Sequence, residues 1–145
     1  MNDLERKIHD HEGFSSVAYP DHLGNITIGF GRNIDSKSGR GITKDEGLHL
    51  MRNDIKICRK SLTDFTWFRH LDIVRQDVLI ELMYNLGYPR FRSFKKMIAA
   101  LEINDFNKAS DELLDSKWRT DVGKNRSSDM AFRLRYGAYK GEALT

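Results

Sequence analysis

Cysteine and long apolar runs are nearly missing from this sequence. Cys58 is the single cysteine among 145 residues, which excludes an internal disulfide and fits a reducing compartment. No run of about 18 apolar residues occurs, so we predict no membrane-spanning helix. The amino terminus lacks a basic start followed by an apolar block, so we expect no secretory signal.

A strong excess of one charge is also missing. The chain has 24 lysines and arginines against 21 aspartates and glutamates, a net charge of +3, and its pI is about 9.0. This mild excess favours an anionic partner, and nucleic acid, a membrane surface and an acidic cell-wall polymer all fit it. The length and the hydrophobic share of 39% predict one globular domain with a real core.

The first segment of the chain is predicted to be a short helix from about Asp3 to His11. Asn2 is a good N-cap residue, and apolar side chains follow it at helical spacing. Gly13 then ends the helix.

A β-hairpin is predicted to follow. Val17 and Tyr19 alternate with other residues toward Pro20, and after the turn residues Gly24-Asn25 a second alternating set follows, Ile26, Ile28 and Phe30. Two alternating runs joined by such a turn are typical of two short strands folded back on each other.

Two carboxylates and a hydroxyl lie in this segment, and together they fit chemistry on a glycosidic bond. That chemistry needs one acid to protonate the departing oxygen and a second carboxylate to activate a water or attack the sugar. Glu12 and Asp21 can supply the two groups, and the hairpin returns Thr27 beside Asp21, where its hydroxyl could hold the water. Taken singly, each is also an ordinary surface acid, turn aspartate or strand threonine.

The rest of the chain is predicted to be mostly helical. Residues 33–41 are polar and glycine-bearing, as in a loop. Thr43 and Glu46 form a capping box that starts a helix from about Lys44 to Leu62, with Cys58 on its apolar face as a buried core residue.

Aromatic residues and four further helices complete the prediction. Phe65, Trp67, Phe68 and Leu71 are expected in the core of a second lobe. A central buried helix is expected over Asp72 to Leu86, closed by Gly87 and Pro89. Further helices are expected from a Ser93 cap to Leu101, from an Asp105 cap to about Lys117, and from near Arg126 to Tyr136.

The predicted fold class is α+β and mostly helical. A small hairpin lobe (about 13–43) is joined by the bridging helix (about 44–62) to an all-α lobe (about 63–145 together with the N-terminal helix), with a cleft expected between the lobes.

The order Glu12, eight residues, Asp21, five residues, Thr27 resembles the active-site signature of the phage-type lysozymes, glycoside hydrolase family 24, typified by the T-even phage lysozyme. The flanking residues 27–31 and 42–46 match as well. Later segments align in order, among them Asn85-Leu86-Gly87, Ser116-Lys117-Trp118 and Asn125-Arg126. The resemblance therefore covers nearly the whole chain.

The resemblance implies hydrolysis of the β-1,4 bond between N-acetylmuramic acid and N-acetylglucosamine in bacterial peptidoglycan. Glu12 would be the general acid, Asp21 the base or electrostatic partner, and Thr27 the residue that positions water in an inverting reaction. Family members bind the glycan strand in a cleft between their lobes and need neither a metal nor a cofactor, so we expect none here.

Further site residues follow from the same resemblance. Arg126 aligns with an arginine that pairs with the catalytic glutamate, so it is expected to orient Glu12. The positions that align with sugar-contacting residues are Tyr84, Asn33, Met97 and Glu112. Two features depart from the family pattern. Arg32 stands where a histidine is usual, and the stretch between Arg32 and Ile42 is shorter.

The biological role that the resemblance implies is lysis of a host bacterium at the end of infection. The enzyme would stay in the host cytoplasm as a monomer until a holin opens the inner membrane and releases it to the periplasm. The basic residues near the carboxy terminus would favour an anionic outer-membrane surface.

Three rival functions remain at this point. A lytic transglycosylase cleaves the same bond with one acid, so Asp21 and Thr27 argue against it. A non-catalytic cell-wall-binding module would not need Glu12, Asp21 and Thr27 together. A small basic nucleic-acid-binding protein is suggested only by the pI, and since no clustered basic helix or aromatic platform supports it, we predict no nucleic-acid partner.

Overall fold

The structure, a computed structural model, describes residues 1–142. Within that range it contains nine α-helices and one three-stranded antiparallel sheet, so the predicted α+β fold class is confirmed. By its internal contacts the chain divides into two compact units, a first unit of Met1–Leu50 and a second unit from Met51 onward. None of the helices in residues 1–142 combines the length and apolar character needed to cross a membrane.

The first unit begins with helix α1, Asp3–Glu12. Asn2 and Glu5 form a capping box, in which the Asn2 side chain accepts from the Glu5 backbone N–H at 2.8 Å and the Glu5 carboxylate accepts from the Asn2 N–H at 2.7 Å. Gly13 ends the helix with φ of 68°. The prediction is confirmed, and the helix extends one residue further, to Glu12.

The sheet of the first unit has the strand order β1-β2-β3, with β1 at Ser15–Pro20, β2 at Ile26–Gly29 and β3 at Arg32–Asn33. Tyr19 pairs with Thr27 across the predicted hairpin, and Thr27 also pairs with Asn33. Thr27 therefore lies on the central strand, between two neighbours.

Strand β3 corrects two predictions. Asn33 was expected in a loop but belongs to β3, and Phe30 was expected in a strand but lies in the turn between β2 and β3. The reason is that Gly29 and Gly31 both have positive φ, 68° and 75°, and so reverse the chain. A strand of two residues is too short to show an alternating pattern.

Helix α2, Lys44–Thr63, begins in the first unit and continues into the second. Its predicted capping box is present. The Thr43 hydroxyl accepts from the Glu46 N–H at 3.2 Å, and Oε1 of Glu46 accepts from the Thr43 N–H at 3.1 Å. The sequence pattern therefore predicted both the start of α2 and its length to within one residue.

The second unit is helical throughout its described elements. Its helices are α3 (Thr66–Arg69), α4 (Ile73–Leu86), α5 (Tyr88–Arg92), α6 (Lys95–Glu102), α7 (Phe106–Leu114), α8 (Lys117–Val122) and α9 (Lys124–Tyr136). Helix α7 packs against α6 and α9, and α4 packs against α9. The fully buried residues at the centre of this core include Leu62, Leu79, Leu82, Phe91, Leu101, Leu113, Met130 and Leu134.

Most core predictions for the second unit are confirmed. Phe68 and Leu71 are buried, and Phe65 and Trp67 pack against the same core. Helix α4 buries five apolar residues, which are Val78, Leu79, Ile80, Leu82 and Met83. Ile73 is the exception at 73% exposed, because it is the first residue of α4.

Cys58 is only partly buried, although its side chain packs against this core. Burial, with a smaller contribution from the charge of Asp54, raises the pKa of its thiol.

The end of α4 was predicted correctly, and the start of α6 was predicted wrongly. Helix α4 ends at Leu86 with Gly87 as its C-cap, as expected. Pro89 belongs to α5, a separate short helix that was not predicted, and its missing N–H costs nothing there because that group would have no partner in the first turn. Ser93 does not cap α6. Its hydroxyl donates to the Arg90 carbonyl at the end of α5, and Phe94 takes the N-cap position.

The helix predicted from Asp105 to about Lys117 is two helices. Asp105 caps α7 as expected, accepting from the Lys108 N–H at 3.1 Å. Helix α7 then ends at Leu114, and the Ser116 hydroxyl donates to the Leu113 carbonyl at 2.6 Å. That side-chain bond satisfies one of the free carbonyls at the helix end.

Candidate active site

Glu12 is the last residue of α1, and its carboxyl group lies against the turn between β2 and β3. A Cβ atom added to Gly31 would overlap with Oε2 of Glu12 and would stand 2.8 Å from its Cδ. The helix end and the turn thus meet at this carboxyl group. The Glu12 side chain is otherwise exposed, as a proton donor to a glycan strand must be.

Asp21 follows β1 and starts the turn that leads into β2. Its Oδ1 accepts two backbone N–H bonds, from Leu23 at 2.9 Å and from Asn25 at 2.8 Å. Its Oδ2 accepts a single long bond, 3.4 Å, from the Asn25 side-chain amide. These bonds lower the pKa of Asp21 from its ordinary value of 3.8, and the N–H of Asn25 is the largest cause. The N–H of Leu23 and the side chain of Asn25 act in the same direction. Partial burial opposes them by raising the pKa.

Thr27 lies on the central strand and is only 4% exposed. Its hydroxyl donates to the Asn25 carbonyl at 3.0 Å. Because the hydroxyl hydrogen is used in this bond, the oxygen presents only lone pairs to a neighbouring molecule. Thr27 can therefore accept a hydrogen bond from a water beside it.

Asn25 connects these groups, and the sequence analysis assigned it only to the turn. Its side-chain oxygen accepts from the Ser38 hydroxyl at 2.8 Å, and Ser38 in turn accepts from the Asn33 amide at 3.3 Å. Asn33 also accepts from the Asp35 N–H at 2.9 Å. The loop after β3 is thereby linked to Asp21, and the only sequence signal for this link was an asparagine at the end of a tight turn.

Arg32 makes an ion pair with Glu46 at the start of α2. Its guanidinium also donates to the Gly41 carbonyl at 2.9 Å. The first residue of β3 is thereby tied to the first turn of the bridging helix.

The other predicted site residues lie in the second unit, apart from Asn33. Tyr84 is 45% exposed and lines a cavity of about 420 Å³ with Ile57, Cys58 and Tyr88. Met97 and Glu112 come together on a second cavity of about 300 Å³, although Met97 itself is only 1% exposed. The predicted contacts of these residues with sugars stay predictions.

Arg126 belongs to a cluster of charges in the second unit. Its Nε lies 3.6 Å from Oε1 of Glu81. The other oxygen of Glu81 accepts from Arg133 at 2.8 Å, and Arg133 also pairs with Asp129 at 2.9 Å. The expected role of Arg126 in orienting Glu12 stays a prediction.

An α+β fold with an acid at the end of its first helix, and a carboxylate and a hydroxyl on the neighbouring hairpin, has the groups that a two-acid glycoside hydrolase requires. The comparison with protein families agrees. The model described as phage lysozyme matches residues 9–133, so the chain belongs to the phage lysozyme family.

Two similar proteins are known from Dictyostelium discoideum. "Probable T4-type lysozyme 1" is 28% identical over 120 residues, which cover 78% of this chain and 70% of the relative. "Probable T4-type lysozyme 2" is 25% identical over 140 residues, covering 78% of this chain and 82% of the relative. The chain is a lysozyme-type glycoside hydrolase, and its family implies peptidoglycan as the substrate.

Proposed function

We propose that this chain hydrolyses the β-1,4 bond between N-acetylmuramic acid and N-acetylglucosamine in peptidoglycan. Glu12 protonates the departing oxygen, and Asp21 and Thr27 hold the attacking water. The observation that carries this proposal is the unequal use of the two oxygens of Asp21. Two backbone N–H groups occupy Oδ1, whereas Oδ2 has one long bond and is therefore free to bind a water.

The hydrogen bonds of Thr27 support the same water position. Its hydroxyl hydrogen is already donated to Asn25, so a water must donate to the Thr27 oxygen rather than accept from it. A water that donates one hydrogen to Thr27 and the other to Asp21 keeps its lone pairs for attack on the sugar. Attack by such a water on the face opposite the departing oxygen inverts the anomeric centre.

The lowered pKa of Asp21 bears on which catalytic role this residue can take. A carboxyl group whose pKa lies below its ordinary value stays ionised at neutral pH, but it is also a weaker base. We therefore assign to Asp21 the orientation of the water and the stabilisation of the positive charge that develops on the sugar ring in the transition state. Asp21 accepts the proton of the water only as the new bond to the sugar forms, because bonding to the sugar makes that proton acidic.

The central test replaces Glu12 with glutamine, which keeps the shape of the side chain and removes the transferable proton. We expect Glu12→Gln to lose at least about 100-fold in activity, the usual contribution of general acid catalysis. Activity is measured as clearing of permeabilised Gram-negative cells and as release of fragments from purified peptidoglycan. Circular dichroism and thermal unfolding equal to the parent show that the fold is kept. Full activity of Glu12→Gln would contradict the proposal.

Product analysis in the same assay separates the rival functions. Hydrolysis leaves saccharides one water heavier than the anhydro products of a lytic transglycosylase, which mass spectrometry resolves. Intact glycan despite binding would identify a cell-wall-binding module instead. An inverting mechanism predicts that proton NMR detects the α-anomer as the initial product. An initial β-anomer would show that the mechanism is retaining.

For the biological role we propose lysis of a bacterium from inside, with release of the enzyme to the periplasm after a holin-type opening of the inner membrane. The family resemblance supports this role. Bacteria that express the chain in the cytoplasm should lyse only after a membrane-opening agent is added, and cells that express Glu12→Gln should not. Lysis of the active form without that agent would argue against holin-dependent release.

A further inference from the structure

We infer that Gly31 is a positioning residue that fixes where the Glu12 carboxyl group lies. The inference rests on the proposed role of Glu12 and adds a residue outside the three catalytic groups. Its basis is the space beside Gly31, where an added Cβ would overlap with Oε2 of Glu12 and stand 2.8 Å from Cδ and 3.3 Å from Cγ. Three atoms of the acid thus occupy the volume that any other side chain would need.

Glycine has two separate reasons to stand at this position. One is the backbone, since φ of 75° disfavours every residue with a Cβ. The other is the contact with Glu12. Gly29, two residues earlier in the same turn, has a similar φ of 68°, but a Cβ added there would meet nothing within 4 Å. Gly29 therefore shares the first reason and lacks the second, which makes it a matched control.

The turn is anchored on both sides, so a side chain at residue 31 must move Glu12 rather than the turn. The Phe30 ring lies 4.9 Å from the ring of His9 and 5.1 Å from that of Phe14, centroid to centroid. On the other side, Arg32 is held by Glu46 and by the Gly41 carbonyl. The end of the flexible Glu12 side chain is the softest of these neighbours, and it would be displaced.

The kinetic test compares Gly31→Ala with Gly29→Ala on a soluble peptidoglycan oligomer. We expect Gly31→Ala to lower kcat by on the order of 100-fold, the usual effect of a misplaced catalytic group, while KM changes by less than about threefold because binding is kept. Gly29→Ala should reduce kcat far less. Equal losses of kcat in the two variants, or a loss confined to KM, would overturn the inference.

A stability test detects the contact between residue 31 and Glu12 without an activity assay. Gly31→Ala should lower Tm more than Gly29→Ala does. This extra loss of Tm should vanish when Glu12→Ala is also present, because that change removes the side chain that fills the space beside residue 31. An extra loss that persists in the double variant would overturn the inference. If Gly31→Ala alone does not fold, the inference requires that Glu12→Ala with Gly31→Ala does. The Tm values do not depend on the activity measured for Glu12→Gln. Failure of the proposed function and failure of the inference can therefore be told apart.

Discussion

Asp21 receives its hydrogen bonds from the turn that it begins. The N–H groups of Leu23 and Asn25 both point at Oδ1, and the Gly24 N–H donates to the Asp21 carbonyl at 2.9 Å. Five residues of sequence are therefore enough to hold this carboxylate ionised. The second oxygen depends on Asn25 alone, and through Asn25 on Ser38.

We predict that Asn25→Ala lowers kcat by about threefold to tenfold, the usual net effect of losing one weak hydrogen bond, because the Asn25 amide lies 3.4 Å from Oδ2 of Asp21. The backbone bonds to Oδ1 remain, so Asp21 keeps its charge but loses the amide that orients Oδ2. Ser38→Ala is the comparison, because it keeps the Asn25 amide and removes the hydroxyl that bonds to Asn25 and Asn33. Its effect on kcat should be smaller. A larger loss in Ser38→Ala than in Asn25→Ala, measured on purified peptidoglycan, would contradict this order.

Glu46 performs two tasks where helix α2 begins. Oε1 completes the capping box with Thr43, and Oε2 pairs with Arg32. The backbone N–H and then the hydroxyl of Thr43, with Arg32 in addition, hold the pKa of Glu46 below its ordinary value of 4.5. One side chain thus links the start of a helix to the neighbouring strand.

The sign of the pH effect follows from this lowered pKa. The folded chain binds fewer protons at Glu46 than the unfolded chain does, so the stabilisation is complete above about pH 4.5 and is lost as the pH falls through the folded pKa. We predict that Glu46→Gln is less stable than the parent at neutral pH and that the two curves converge below pH 4.5. Urea unfolding at a series of pH values measures this.

Asp45→Asn is the control for the Glu46 prediction. It removes one charge from the same helix end, and in residues 1–142 no hydrogen bond or ion pair of the Asp45 side chain is found. Its stability curve should stay parallel to that of the parent. Convergence of Asp45→Asn with the parent below pH 4.5, to the same degree as Glu46→Gln, would show that the helix dipole rather than these contacts is responsible.

At the scale of the whole molecule, the two units differ in how they are stabilised. All buried apolar side chains in the described range belong to the second unit, and the first unit buries only Thr27. The first unit depends instead on caps, turns and ion pairs, whose net contributions are small in water. The proposed catalytic residues therefore lie in the part of the chain with the smaller core.

We predict that native-state hydrogen exchange separates the two units. Amides of α1 and β2 should exchange through local openings that cost several kcal/mol less than global unfolding, whereas amides of α4 and α9 should exchange only at about the global free energy. Mass spectrometry with peptide resolution measures both classes in one sample. Protection of α1 equal to that of α9 would contradict the prediction.

Local patterns were enough to predict a large part of this fold. The caps at Asn2, Thr43 and Asp105, the hairpin and the extent of α2 follow from interactions between residues a few positions apart. The order of Glu12, Asp21 and Thr27 along the chain also predicted the family, which the comparison confirmed. The same local patterns failed where a short element, such as β3 or α5, is held by its surroundings.

What the sequence by itself determined is therefore the set of helices and strands formed by near neighbours, and the family that carries these three residues in this order. Only the tertiary structure decided that the Glu12 carboxyl group fills the space beside Gly31, that Arg32 pairs with Glu46, and that Met97 and Glu112 share a cavity. The physical reason is separation along the chain. Contacts between residues 14 to 19 positions apart are fixed by how the elements pack, and no periodicity in the sequence encodes them.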